Sequence, residues 1–316
     1  MSKKNHIALA SDHAYAGYME TCMLSVLMNN PEDEIVFDIL DVGLDDNDKR
    51  NIAENINSYG GELVFHDLRN IAQLLGGDVP EFLNSLGLYG RLFLPQLLPN
   101  EEKVLYLDCD TLVVGSLNEL WNMNITDYYL AGVKDTVSFM HREKLGFGQD
   151  ETYINSGVLL INLEKWRKDH ICEKIIDYVK KNKESVSLPD QDGINVVCKG
   201  KICILEANYN VMSPQFLMPY KNIVGYFRVS DYYSSRMIKE ARNNPVIIHF
   251  TGYPDRRPWE KGCMHPKKAL YMEYASKSRI GVKLLDKDIP KSRKKNLIKF
   301  KFLPYGVYKI LRSIKK

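Results

Sequence analysis

The chain has 316 residues, 45% hydrophobic and 26% charged, with a formal net charge of +3. That composition suits a globular protein able to bury a sizeable core, and no apolar run approaches the roughly 20 residues that a bilayer-spanning helix needs. Residues 291–316 hold ten Lys or Arg and no acid, which leaves the remainder net acidic and a poor partner for nucleic acid.

In chain order, Met1 to His6 are polar and basic and run straight into an apolar stretch, so no signal-peptide region is expected. Short apolar runs then alternate with helix-like stretches, the pattern of an α/β protein with a largely parallel sheet. The expected strands are Ile7 to Ala10, Glu34 to Leu40, Glu62 to His66, Lys103 to Leu107, Tyr129 to Val133, Val158 to Leu163, Lys201 to Leu205 and Val246 to Phe250. Between them Met19, Cys22, Met23, Val26 and Leu27 recur at helical spacing, as do Ile171, Ile175, Ile176 and Val179, and both stripes read as core packing. Residues 207–245 and 251–265, rich in Pro, Tyr, Asn and Gly, read as irregular segments over a sheet edge. Ala10-Ser11-Asp12-His13-Ala14-Tyr15 follows the first strand, so a dinucleotide-binding glycine turn is missing, and no P-loop occurs. The cysteines (Cys22, Cys109, Cys172, Cys198, Cys203, Cys263) are scattered without CxxC or zinc spacing and read as reduced thiols of a cytoplasmic protein.

Asp-x-Asp occurs at Asp46/Asp48, Asp108/Asp110, Asp190/Asp192 and Asp286/Asp288. Most such pairs are helix caps or solvated surface. Asp108 and Asp110 differ, because they follow the apolar run Lys103-Val104-Leu105-Tyr106-Leu107 and precede Thr111-Leu112-Val113-Val114. If the segment is extended, residues i and i+2 share a face, so both carboxylates lie at the C-terminal edge of a strand, where open α/β sheets bind ligands. Two such acids repel, and a hard cation, Mg²⁺ or Mn²⁺, would offset the repulsion. His249 ends Val246-Ile247-Ile248 and opens a loop with Gly252, Pro258 and Trp259; on the residues alone it is either a third ligand, favouring Mn²⁺, or a hydrogen-bonded structural histidine.

Ile7-Ala8-Leu9-Ala10-Ser11-Asp12, Leu105-Tyr106-Leu107-Asp108-Cys109-Asp110, Tyr153 to Asn162, Asp190-Gln191-Asp192 and His249-Phe250-Thr251-Gly252, in that order, resemble glycosyltransferase family eight. These are retaining enzymes of the GT-A fold that include bacterial lipooligosaccharide and lipopolysaccharide α-galactosyl- and glucosyltransferases, and the match runs from about Ile7 to Trp259. The resemblance implies a Rossmann-like, mainly parallel sheet flanked by helices, and a metal-dependent transfer of galactose or glucose from a UDP-sugar (UDP-galactose or UDP-glucose) to a glycan or lipid-linked saccharide in cell-surface polysaccharide synthesis. It implies roles as well. Asp12 and the Ala10 backbone would meet uracil, with Tyr15 stacked on it. Asp108, Asp110 and His249 would hold Mn²⁺ (or Mg²⁺) against the diphosphate. Arg91 would contact the donor, and Asn155, Asp190 and Gln191 would surround the hexose. Asp190 has a plain alternative as a helix N-cap after Pro189.

The sequence departs from the family pattern at Ala14, where a polar residue usually nears the ribose, and in the loop from His249 to Trp259, two residues longer than His-x-x-Gly-x-x-Lys-Pro-Trp. Gly252 and Arg257 of that loop would serve the diphosphate, with Arg256 an alternative to Arg257. Asp135 and Gln191 are the candidate nucleophiles of a double displacement, and a front-face route stays open beside it. The catalytic domain is expected over 1–265 and a basic tail over 266–316. In the tail Val307, Ile310, Leu311 and Ile314 share a helical face, and Leu297, Ile298, Phe300 and Phe302 add apolar bulk, which suits peripheral attachment to an anionic membrane's inner face; a solvated tail or a docked helix are the alternatives. Two other functions compete: a haloacid-dehalogenase-type phosphohydrolase, whose Asp-x-Asp spacing and position differ from those here, and an inactive sugar-nucleotide-binding homologue.

Overall fold

The computed structural model describes residues 4–77, 79–80, 86–286 and 291–314. Among them, β1 (Asn5–Asp12), β2 (Ile35–Gly43), β3 (Glu62–Asp67), β4 (Lys103–Leu107), β6 (Leu130–Lys134), β7 (Ile154–Asn162) and β8 (Ile202–Ile204) form a seven-stranded sheet in the order β3-β2-β1-β4-β7-β6-β8. Pairing is parallel except where β7 runs antiparallel to β4 and β6. This is the expected mainly parallel α/β sheet. All nine residues of β7 are buried, and the apolar runs of β2 and β4 are covered on both faces, which is why they read as continuous rather than alternating. A smaller sheet, β5-β10-β9, is built from β5 (Thr111–Val113), β9 (Val211–Met212) and β10 (Ile247–His249).

The two sheets enclose the helix Ala16–Asn29, whose residues from Ala16 to Leu27 are all buried. Its apolar stripe therefore understates its burial; even Glu20 is enclosed, accepting from Asn55 Nδ2 at 2.5 Å and from the backbone N–H groups of Arg279 and Ile280 at 3.1 Å each. On the opposite face of the large sheet, the helices Ile171–Lys181 and Pro189–Val197 bury Ile175, Val179 and Ile194 against β4 and β7.

Two expectations require correction. Residues 207–245 are not irregular: they form a 3₁₀ turn (Ala207–Asn210), β9 and the helices Ser213–Leu217, Tyr220–Phe227 and Ser235–Asn243. Their Pro and Ser residues act as helix starters, Pro214 in a first turn and Ser234 as an N-cap accepting from Met237 N–H at 3.2 Å. β7 also begins at Ile154, ahead of the expected Val158. Residues 251–265 do lack helix and strand apart from a bridge between Glu260 and Leu285.

Past residue 265, the helix Lys268–Ala275 buries Tyr271 and Ala275 in the core, and Leu285 N–H donates to the Trp259 carbonyl at 2.8 Å. The helices Lys291–Phe302 and Tyr305–Ile314 are docked on the body through Phe300, packed with Met218 and Ile223. Asn222 secures them, donating to the Phe300 carbonyl at 2.8 Å and accepting from Tyr305 N–H at 3.0 Å. Ile298, Phe302, Val307, Ile310 and Leu311 are exposed. Asp288, Lys315, Lys316 and the side chains of Lys291, Arg293, Arg312 and Ile314 lie outside the described residues.

Candidate active site

β4 ends at Leu107, and Asp108-Cys109-Asp110 forms a turn in which Thr111 N–H donates to the Asp108 carbonyl at 3.1 Å. The expected extended geometry is thus wrong: the carboxylates converge because the chain turns, not because i and i+2 alternate. The turn feeds β5, which pairs antiparallel with β10 and sets Thr111 opposite His249. That pairing delivers the imidazole: Nε2 lies 3.1 Å from Asp110 Oδ1 and 3.9 Å from Asp108 Oδ2. Ligand atoms from Asp108, Asp110 and His249 all fall within 4.8 Å of one another.

Two carboxylates and an imidazole form a donor set fit for Mn²⁺ or Mg²⁺. Gly157 keeps the space open, since a Cβ there would stand 2.3 Å from His249 Cε1 and 2.6 Å from Asp108 Oδ2. Neighbouring guanidinium groups also balance the acids: Arg257 Nε donates to Asp110 Oδ2 at 2.8 Å and Arg91 Nη2 to Asp108 Oδ1 at 3.0 Å. Burial alone would raise the Asp110 pKa, but the charges of Arg257 and His249 hold it well below the carboxylate range. Burial likewise opposes charge on His249, yet the Asp110 carboxylate outweighs it and raises that pKa. Arg256 faces elsewhere, its Nη1 donating to the Lys261 carbonyl, so Arg257 is the one directed at the acids. Gly252, at φ +68°, lets the loop turn beneath the Arg257 guanidinium.

Beside this centre lies a buried polar network. Asn155 Nδ2 donates to Asp135 Oδ2 at 3.0 Å and to Gln191 Oε1 at 3.2 Å. Gln191 Oε1 also accepts Ser156 N–H at 2.9 Å, while Gln191 Nε2 donates to Asp135 Oδ2 at 3.0 Å and to the Tyr153 hydroxyl oxygen at 3.2 Å. Tyr153 can accept there because its own proton goes to Asp192 Oδ1 at 2.5 Å. Asp192 is saturated by His141 Nε2 at 2.8 Å and by the N–H groups of Ser187 and Leu188 at 2.8 and 3.0 Å. Gln191 Oε1 thus meets donors and its Nε2 meets acceptors, and the Gln191 amide is held in a single orientation. Asp190 is no N-cap: Leu188 holds that position, and Asp190 Oδ2 lies 3.3 Å from Arg91 Nε and accepts from Ser156 Oγ at 3.3 Å. Burial, helped by the nearby Asp108 charge and opposed by Arg91, raises its pKa.

The β1 side is more open. Asp12 caps a 3₁₀ turn, accepting Tyr15 N–H at 3.0 Å, and Tyr15 is 37% exposed. The Ala10 carbonyl accepts from Cys109 Sγ at 3.2 Å, tying β1 to the Asp108–Asp110 turn. Tyr18 stacks on Trp259 at 4.2 Å and so anchors the loop that carries Arg257. A second acidic cluster, His13 with Asp45 and Asp48, is accounted for by the capping box of the helix Asp46–Ser58.

The structure brings Asp108, Asp110, His249, Arg91 and Arg257 together, joins Asp190 to Arg91, links Asn155, Gln191 and Asp135 to one another, and ties Ala10 to the Asp108–Asp110 turn through Cys109. Sequence reasoning missed Tyr153, Asp192, Ser156 and Asn210 as participants. Asp192 had a signal in the Asp190/Asp192 pair; Asn210, in a segment read as irregular, had none.

A mainly parallel α/β sheet with an Asp-x-Asp turn and a histidine at its C-terminal edge is the architecture of the GT-A glycosyltransferases. It superposes on the crystal structure of the galactosyltransferase LgtC in complex with donor and acceptor sugar analogues, with a TM-score of 0.72 and 26% identity over 92% of this chain and 99% of that one. Residues 6–263 match the model of glycosyl transferase family 8, and the chain belongs to that family. General stress protein A of Bacillus subtilis is 26% identical over 86% of this chain and 93% of its own length. The lipopolysaccharide 1,2-glucosyltransferase of Escherichia coli is 28% identical over 59% of this chain and 53% of its own. The protein is therefore a glycosyltransferase, binding a sugar-nucleotide donor and a saccharide acceptor, and the phosphohydrolase alternative has no support. No helix among the described residues is long and apolar enough to cross a membrane.

Proposed function

We propose that this glycosyltransferase is a retaining hexosyltransferase that moves galactose or glucose from a UDP-sugar to a glycan or lipid-linked saccharide in cell-surface polysaccharide synthesis. The observation that carries the reading is the convergence of Asp108, Asp110 and His249, with Arg257 at 2.8 Å from Asp110, beside the buried Asn155–Gln191–Asp190 wall. The lipopolysaccharide glucosyltransferase and LgtC likenesses support the hexose and the class of acceptor.

In this reading Tyr15 stacks on uracil, with Asp12 and the Ala10 backbone at its edge. Asp108, Asp110 and His249 hold Mn²⁺ or Mg²⁺, which when bound offsets charge on the departing diphosphate. Gly252 and Arg257 complete the diphosphate cradle, and a guanidinium there can grip a phosphate by two hydrogen bonds. Asn155, Asp190, Gln191 and Arg91 line the hexose pocket. Asp135 Oδ2 already accepts from two amides, and the Gln191 amide is a poor nucleophile. That favours a front-face reaction, in which a leaving phosphate oxygen takes the proton from the acceptor hydroxyl as it attacks the anomeric carbon. The exposed Ile298, Phe302, Ile310 and Leu311, beside Lys294, Lys295 and Lys309, suit contact with an anionic membrane where a lipid-linked acceptor resides. Deleting residues 291–316 should abolish binding to anionic vesicles, and unchanged binding would refute that contact.

The test is UDP release from a panel of UDP-sugars with Mn²⁺, with and without chelator, alongside Asp108→Ala. Release from one hexose donor, lost with chelator and with the substitution, is expected. Failure to bind or turn over any UDP-sugar would refute the donor assignment.

A further inference from the structure

Asn210 is fully buried at the end of the 3₁₀ turn preceding β9, the strand that pairs with β10 and sets Met212 opposite His249. Its amide lies between two groups of the site. Nδ2 donates to Asn155 Oδ1 at 2.9 Å, and Oδ1 lies 3.1 Å from His249 Nδ1.

The direction of every hydrogen bond here follows from one unambiguous donor. Gly157 N–H, a backbone group that can only donate, meets the Asn155 amide at 3.0 Å, so the atom it meets is the Asn155 oxygen. That oxygen also faces Asn210, so Asn210 must present its NH₂ group there. The Asn210 oxygen consequently faces His249, and an oxygen facing a ring nitrogen requires the proton on that nitrogen. His249 thus carries hydrogen at Nδ1 and turns Nε2 toward Asp108 and Asp110, where the protonated ring donates to Asp110 Oδ1 at 3.1 Å.

Building on the metal reading above, we propose that Asn210 is a positioning residue for the cation site: it holds the Nδ1 proton and the ring plane of His249 so that Nε2, on exchanging its proton for the cation, presents its lone pair between Asp108 and Asp110. The same amide ties this centre to Asn155, and so orients the ligand histidine and the hexose wall from one anchor. An outer partner of this kind typically contributes ten- to a hundredfold to metal affinity.

The test is Mn²⁺ binding to the full chain, followed by the electron paramagnetic resonance signal of free Mn²⁺, with and without UDP. Asn210→Ala should weaken binding by about ten- to a hundredfold. Asn210→Asp keeps an acceptor for His249 Nδ1 but sets an oxygen against Asn155 Oδ1, so it should bind Mn²⁺ more tightly than the alanine variant while disturbing the Asn155 side of the network. Equal weakening in both variants would mark Asn210 as merely structural, and wild-type affinity in the alanine variant would overturn the proposal. Should the aspartate variant not fold, ¹⁵N spectra of the parent loaded with diamagnetic Mg²⁺ decide the matter. A proton on Nδ1 is expected, and a proton on Nε2 alone overturns the inference. A parent protein that binds neither Mn²⁺ nor Mg²⁺ would sink the metal reading itself, an outcome distinct from wild-type affinity in the alanine variant.

Discussion

The two sides of the site are built differently. On the β1 side, Asp12 and Tyr15 are partly exposed and each makes few contacts. On the β7 side, Asn155, Asp190, Gln191, Asp192 and Asn210 are buried, and their amide and carboxylate groups are bound in a connected network. A surface left open acquires its partners from a ligand, whereas a saturated buried network is organised before any ligand arrives. Substitutions on the first side should therefore change donor binding, and substitutions on the second should change the rate of transfer.

The largest effect is expected where the two sides meet. Asp110→Ala removes a candidate ligand and strands Arg257, and should lower UDP release by about a thousandfold, a loss of charge stabilisation like that of an oxyanion donor. A variant that keeps a tenth of parental release would show that the Asp108–Asp110 turn is not the centre of the chemistry. Next, Tyr153→Phe removes the hydroxyl that receives the Gln191 NH₂ group, and kcat should fall about tenfold with the donor KM nearly unchanged. A rise in KM with constant kcat would erase the proposed contrast. Tyr15→Ala should do the reverse, raising the donor KM about tenfold through lost stacking while kcat holds; measuring both constants for the two variants sharpens the comparison.

The smallest effect on activity is expected from a third polar cluster, remote in role from both. Asp38 on β2 is buried between His6 Nδ1 at 2.7 Å and His66 Nε2 at 2.9 Å. The hydrogen bond to Asp38 raises the His6 pKa above 6.5 against the opposing effect of burial. The Asp38 pKa is lowered by the two histidines, although burial by itself would raise it. A raised histidine contributes stability that is fully present below pH 6.5 and is lost as pH rises through the folded value. A lowered aspartate contributes stability that is present above pH 3.8 and is lost as pH falls through its folded value. Asp38→Asn should therefore lower the melting temperature most between about pH 4 and 6.5, with a shrinking deficit above, and leave kcat unchanged. A fall in kcat without loss of stability would show that polar burial anywhere in this sheet affects transfer, and the contrast between the two sides would lose its meaning.

Much of the fold was legible because its signals are local. β2 and β4 are apolar runs of strand length, and the helix Ile171–Lys181 shows a clear apolar stripe. β5 and β9 have only three and two residues, too short to show a period, and their pairing with β10 alone defines them. The helices within 207–245 were obscured because Pro and Ser mark helix starts as readily as loops.

By itself the sequence determined where acids follow a buried strand, where a histidine closes another, and where basic residues accumulate, since each of these depends on neighbouring residues alone. Only the tertiary structure decided that Asp110 and His249, 139 positions apart, share a hydrogen bond, because the antiparallel pairing of β5 and β10 is a long-range contact. It also decided that Asp190 faces Arg91 instead of capping its helix, that Arg257 and not Arg256 faces the acids, and that Asn210 joins His249 to Asn155. The physical reason is common to all of these. Hydrogen bonds are directional and each donor has few acceptors in reach, so the role of a buried polar side chain is set by what the fold brings within about 3 Å of it.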